Sequence, residues 1–113
     1  MTNWKKTFER ELQMAAEARE RGNEGQARVC ARRAAGVVIR EYFLRRGVSS
    51  RTASAFDLLQ SLLDIPGISE EARRAAGYLI LRVNEEFNLS VKADLVEEAR
   101  ALSKSLLPGK FEG

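Results

Sequence analysis

The chain has 113 residues, 44% of them hydrophobic and 31% charged, with a formal net charge of +3; this is the size and balance of one globular domain with a modest core. It has no histidine and a single cysteine, Cys30, which removes the usual general base near neutral pH, the commonest metal ligand, any intrachain disulfide and a thiolate zinc site. No stretch approaches the ~20 apolar residues of a membrane span, and the opening "MTNWKKTFERELQM" has no apolar signal region, so a cytoplasmic protein without membrane partner, cofactor or metal is expected.

Five helices are predicted in chain order. The first runs from about Asn3 to Arg21, with Trp4, Phe8, Leu12, Ala15 and Ala16 at helical spacing and Gly22 as a stop. The second opens at Asn23, with Gln26 in the capping-box position, and ends before Gly47. Ser54 with Asp57 starts the third, which carries Phe56, Leu59, Leu62 and Leu63 before "IPG" breaks it. Ser69 starts the fourth, followed by Ala72, Ala76, Leu79, Ile80, Val83 and Phe87. Asp94 with Glu97 starts the fifth, with Val96, Ala99, Leu102 and Leu106 inward as far as "PG" at 108–109. No segment alternates with period two for long enough to argue a strand. The predicted fold is all-α, an up-and-down bundle of four main helices plus one short helix, as a single domain over residues 1–113.

The second helix sets the architecture. At about 100° per residue, one stripe holds Ala27, Cys30, Ala31, Ala34, Val38 and Glu41; a second holds Arg28, Arg32, Ala35, Ile39 and Arg46; a third holds Val29, Arg33, Val37, Arg40 and Leu44. Apolar residues point in three directions, so neighbours are expected on most sides, with the arginine heads leaving along the seams to solvent. Cys30, among alanines, reads as a small buried filler. Glu41 on the small-residue stripe has two readings: an ion pair with Arg45 one turn on, or a site or interface carboxylate. Tyr42, Phe43 and Tyr78 lie inside helical stripes and read as core.

Charge is unevenly placed. Residues 26–51 carry seven arginines against one acid, Glu41, a local charge of +6; the remainder carries 12 basic and 15 acidic residues. Such a block can meet a polyanion, or it can neutralise acids on neighbouring helices. The candidate phosphate or partner contacts are Arg28, Arg32, Arg33, Arg40, Arg46 and Arg82; Glu41, Asn84 and Asn88 are candidate buried polar or interface groups. Few aromatic side chains are left over to stack on bases. The acid pairs Glu70–Glu71, Glu85–Glu86 and Glu97–Glu98 read as solvated helix faces, and the glycines at 22, 25 and 36 lack phosphate-loop spacing.

"RRAAGVVIREYFLRRG", residues 32–47, resembles the second helix of HEPN domains, a family of small helical bundles. That helix carries two polar residues, two alanines, a glutamate, a lysine four further on, then leucines and a glycine. Arg32 and Arg33 stand at the polar pair, Ala34 and Ala35 at the alanines, and Arg40 at the lysine; Gly36 stands where the glutamate would be. "GNEGQA" resembles the turn before that helix. "SAFDLLQSLL" resembles the third helix, with Phe56 where a histidine often precedes the aspartate. "LRVNEEFN" resembles the family's ribonuclease motif, with Arg82 at its arginine and Asn88 at its histidine. The likeness spans about residues 4–107.

The resemblance implies a dimer, and either a metal-independent ribonuclease or a non-catalytic partner of a minimal nucleotidyltransferase in a toxin–antitoxin setting. Metal-independent RNA cleavage needs a base and an acid, and asparagine cannot carry a proton at pH 7. The expected function is therefore a non-catalytic, dimeric partner-binding or regulatory module. The alternatives are a weak, arginine-mediated nucleic-acid or nucleotide binder and a degenerate ribonuclease. Leu44, Val48 and Leu89 are the expected apolar remainder at a two-fold interface. A second resemblance, of "AAEARERGNEGQARVCARRAAG" to one tetratricopeptide hairpin, lacks the recurring 34-residue period of an array.

Overall fold

The first helix, α1 (Trp4–Glu20), is joined by a tight turn to α2 (Glu24–Arg45), and α3 (Ala55–Leu63), α4 (Glu70–Ile80) and α5 (Leu95–Leu106) complete the order. The computed structural model describes residues 3–48, 54–81 and 94–108, and every regular element among them is a helix. The fold is an all-α bundle with α3 as its shortest helix.

Local chemistry sets the helix starts. Asn3, Asn23, Ser54, Ser69 and Asp94 each occupy an N-cap, and their side chains accept from the Lys6, Gln26, Asp57, Ala72 and Glu97 amides respectively. Each cap satisfies a donor that the helix itself leaves open, worth about 1 kcal/mol. The ends of α1 and α2 share one device. Gly22 (φ 78°) and Gly47 (φ 69°) adopt the left-handed conformation. The Asn23 amide then donates back to the Ala18 carbonyl at 2.8 Å, and the Val48 amide to the Phe43 carbonyl at 2.9 Å. These are paired Schellman closures, which glycine permits without steric cost.

The core is organised around α2, which packs on α1, α3, α4 and α5. Phe8 and Leu12 from α1 meet Val38, Ile39 and Phe43 from α2, with Leu58, Leu59 and Leu62 from α3, Leu79 from α4 and Leu102 from α5. Cys30, Ala31, Ala34 and Ala35 are fully buried; side chains this small let neighbouring helices approach closely. Tyr42 and Tyr78 pack against the core without being buried, whereas Phe43 is buried. No helix among the described residues is long and apolar enough to cross a membrane.

Three expectations are corrected. Ala16 is exposed, and Ala18 takes the inward place. The stripe of Val29, Arg33, Val37, Arg40 and Leu44 opens largely to the surface, because among the described residues no helix covers that side of α2 along its length. The fourth helix stops at Ile80, with Leu81 extended (φ −62°, ψ 136°). Val83 and Phe87, assigned to that helix by their spacing, lie outside the described residues.

The stop at Ile80 has a partner far away in sequence. The Arg32 guanidinium, part-buried, donates from Nε to the Leu79 carbonyl at 2.6 Å and from Nη2 to the Leu81 carbonyl. Helix ends leave carbonyls without intrahelical donors, and a cation there also meets the negative end of the helix dipole. Arg73 plays the same part for α3, donating from Nη1 to the Leu63 carbonyl at 3.0 Å and from Nη2 to Ile65.

Candidate functional site

The arginines of α2 divide by the partner each side chain finds. Arg32 points inward to the end of α4, so its head does not leave the bundle as the helical spacing suggested. Arg33 pairs with Glu11 of α1, Nη2 to Oε2 at 3.0 Å. Arg45 donates from Nε to Glu41 Oε2 at 2.8 Å, the intrahelical pair expected for that acid. Arg46 lies over the Tyr42 ring, 5.3 Å from its centroid, a cation–π contact worth about 0.5–1 kcal/mol at an exposed site. Arg28 is half-buried and Arg40 exposed. Arg82, Asn84 and Asn88 lie outside the described residues.

Much of the positive charge of this helix is therefore matched inside the molecule. At the far end of the bundle, Arg19 bridges Glu24 at 3.2 Å and Asp94 at 3.1 Å. Partial burial alone would lower the Arg19 pKa; the Asp94 and Glu24 carboxylates outweigh it and hold the guanidinium above its ordinary range. This pair network joins the start of α2 to the cap of α5. Arg100 of α5 similarly meets Glu9 of α1.

Two clefts open along the uncovered stripe of α2, and Val37 and Arg40 line both. One, about 160 Å³, lies between α1 and the C-terminal half of α2, against Trp4, Thr7, Glu41 and Leu44. Beyond it Leu44 is 63% exposed and Val48 40%. The other, about 170 Å³, lies where α1, α2 and α3 meet, against Glu11, Arg33, Gly36, Ala55 and Leu58.

Glu11 is the residue that motif reading missed. It is 8% exposed, and its Oε1 is buried with no hydrogen-bond partner among the described residues. A buried acceptor left without a donor costs about 1–3 kcal/mol, more when charged. The signal was present in the spacing: Trp4, Phe8, Glu11, Ala15 and Ala18 follow one another at four, three, four and three residues. That rhythm keeps a side chain on one helix face, so the carboxylate goes inward with its apolar neighbours.

Gly36 forms part of the wall of the second cleft for a steric reason. A Cβ built there would sit 3.2 Å from the Ala55 Cβ and 3.6 Å from Leu58 Cδ1. A larger side chain at this position would press on Ala55 and need α3 to give by a few tenths of an ångström. Glu11 of α1 contributes a carboxylate to the same cleft. Among the described residues no three histidine, cysteine, aspartate or glutamate side chains come together as a metal-binding group.

No family model matches the chain, and no curated protein or solved structure matches it either.

Proposed function

We propose that the chain is a non-catalytic, self-associating helical module that binds or regulates a protein partner in the cytoplasm. The carrying observation is the uncovered apolar end of α2, where Leu44 and Val48 stand exposed beside the cleft of Trp4, Thr7 and Val37. A two-fold contact would remove these side chains from water, at about 1.5–3 kcal/mol for each fully buried one. The resemblance of residues 32–47 to a HEPN helix supports the same reading and suggests a nucleotidyltransferase-like protein as the partner. Light scattering at tens of micromolar is expected to give the mass of a dimer. Leu44→Glu is expected to give a monomer with unchanged helix content, since Leu44 contributes little to the core of one chain. A monomeric mass for the unmodified protein at that concentration counts against the reading.

The weak nucleic-acid alternative predicts its own numbers. With Arg32, Arg33 and Arg45 engaged within the bundle, few guanidinium groups are left to meet phosphate. At a log–log salt slope of about −0.9 per neutralised duplex phosphate, the slope is expected to be no steeper than roughly −2. Filter binding across a salt series tests this, with Arg28→Glu combined with Arg46→Glu as the charge-reversed control. Nanomolar, sequence-selective binding at physiological salt would make the arginines of α2 a nucleic-acid surface.

A further inference from the structure

The end of the bundle that carries Leu44 and Val48 is cationic as well as apolar. The start of α1 and the end of α2 meet there, at the cleft of about 160 Å³ against Trp4, Thr7 and Leu44. Residues 3–10 and 40–48 together hold six cationic side chains against two carboxylates, Glu9 and Glu41, a formal charge of +4. We infer that this end docks an acidic amphipathic helix of a protein partner, with one apolar side chain in the cleft and carboxylates against Lys6 and Arg10. The inference rests on the reading of this end as a protein-contact surface and names the chemistry of what it contacts.

Charge and shape carry this together. Both acids are already engaged, Glu9 with Arg100 at 3.3 Å and Glu41 with Arg45 at 2.8 Å, so neither neutralises the cations of α1. The Lys6 and Arg10 side chains are exposed and make no hydrogen bond, ion pair or ring contact among the described residues. Arg10 lies one turn after Thr7 on the same side of α1, and Lys6 one turn before Arg10, which places both near the rim of the cleft. The first turn of α1 holds no acid, although the helix dipole favours a negative group there. Leu44 and Val48 are two of the four large apolar side chains left exposed among the described residues. A cavity of roughly 150 Å³ holds a benzene ring, so the cleft takes one leucine- or phenylalanine-sized anchor. An amphipathic helix laid in a groove supplies such anchors at i, i+3 or i+4, and i+7.

Other occupants fit less well. Nucleic acid matches the charge but leaves Leu44 and Val48 in water, and the aromatic ring of the cleft, Trp4, is buried rather than offered to a base. A bilayer takes up a whole apolar helix face, whereas this end offers two aliphatic side chains. A second copy covers the apolar side chains but brings the same positive charge to the same surface. The two protein occupants therefore respond to salt with opposite sign, since salt screens repulsion between like ends as it screens attraction to carboxylates.

The probe is a fluorescent synthetic helix of about four turns, with leucine at i, i+3 and i+7 and glutamate on its other faces. Anisotropy with the full chain is expected to show saturable binding at low salt, with a Kd on the order of tens of micromolar, weakened roughly tenfold or more in about 0.5 M sodium chloride. The same peptide with glutamine for glutamate is expected to bind roughly tenfold more weakly, and Lys6→Glu combined with Arg10→Glu to weaken the acidic peptide by a similar factor. Circular dichroism checks that this double variant stays helical; if it does not fold, the two peptides on the unmodified chain decide the matter. The inference is overturned if the acidic peptide does not bind, if the glutamine peptide binds equally, or if the folded double variant binds as the parent does. Sedimentation with phosphatidylserine vesicles by a chain that ignores the peptide overturns it in favour of a membrane surface. Light scattering keeps self-association separate. A chain that is monomeric alone and binds the acidic peptide refutes the dimer and supports the inference; a dimer that ignores the peptide does the reverse. Where the chain is a dimer, excess peptide is expected to bring the mass down to one chain with one peptide, and a peptide-bound dimer overturns the inference by placing the peptide elsewhere.

Discussion

Arg32→Ala is expected to destabilise the fold by about 3 kcal/mol, because two charge-assisted hydrogen bonds to part-buried carbonyls are lost together. In a domain of this size that lowers the melting temperature by on the order of 15 °C. The guanidinium reaches from the middle of α2 to the carbonyls of Leu79 and Leu81, where α4 ends. Without it, those oxygens keep their burial and lose their donor, and water has only partial access to replace it. Arg32→Lys is expected to recover less than half of the loss, since one ammonium cannot present the planar fork that spans both acceptors. Arg32→Met, which keeps most of the apolar stem, separates packing from hydrogen bonding. Arg28→Ala, on the same stripe one turn earlier, is expected to stay within about 0.5 kcal/mol of the parent, as for substitutions that break no specific feature. Urea midpoints for the four variants decide the matter. An Arg32→Ala midpoint equal to that of Arg28→Ala would show that the α4 carbonyls need no such clamp, and would return Arg32 to the surface arginines available to a ligand.

This contrast explains which parts of the fold were legible in the sequence. The five helix starts were, because capping is a local event: an asparagine, serine or aspartate meets an amide two or three residues on, and the pattern is visible in a four-residue window. The ends at Gly22 and Gly47 were legible for the same reason. So was the Glu41–Arg45 pair, one helical turn apart. The end of α4 was not. The apolar spacing of Leu79, Ile80, Val83 and Phe87 continues past it without a break, and the group that meets the end is an arginine 47 residues earlier. Periodicity records which face a side chain would occupy if the helix continued; it does not record where a distant donor offers the carbonyls something else.

The candidate site divides along the same line. Arg33 and Arg40 fell on one stripe by spacing, and they line one cleft. Arg32, adjacent to Arg33 in sequence, turns about 100° away and joins the interior framework instead. Composition counted both arginines as one basic block, because net charge over a window ignores direction. Glu11 was overlooked through the converse habit: a glutamate on an exposed-looking helix reads as solvent-facing unless the heptad-like rhythm of its neighbours is followed through it. Gly36 shows a limit of a different kind: that a residue larger than glycine would press on Ala55 depends on where α3 packs, which no local window of sequence records.

The purified protein is expected to leave single-stranded RNA intact over hours, with or without magnesium. Cleavage through the 2′-hydroxyl requires a group that removes its proton and another that protonates the departing oxygen. No histidine is present anywhere in the 113 residues. If the resemblance of "LRVNEEFN" to a ribonuclease motif holds, its histidine position is Asn88, whose amide can hydrogen-bond but cannot exchange a proton near pH 7. Loss of general acid–base catalysis removes a factor of roughly 100 to 10,000 from the rate. An arginine such as Arg82 can still bind a phosphate, since its fork offers paired donors, so RNA association and RNA cleavage must be read separately. A gel assay on labelled single-stranded RNA, with Arg82→Ala as control, is sufficient. Robust cleavage by the unmodified chain, lost in that variant, would overturn the non-catalytic reading and assign the proton transfer to a carboxylate, with Glu41 and Glu86 the first to replace by glutamine.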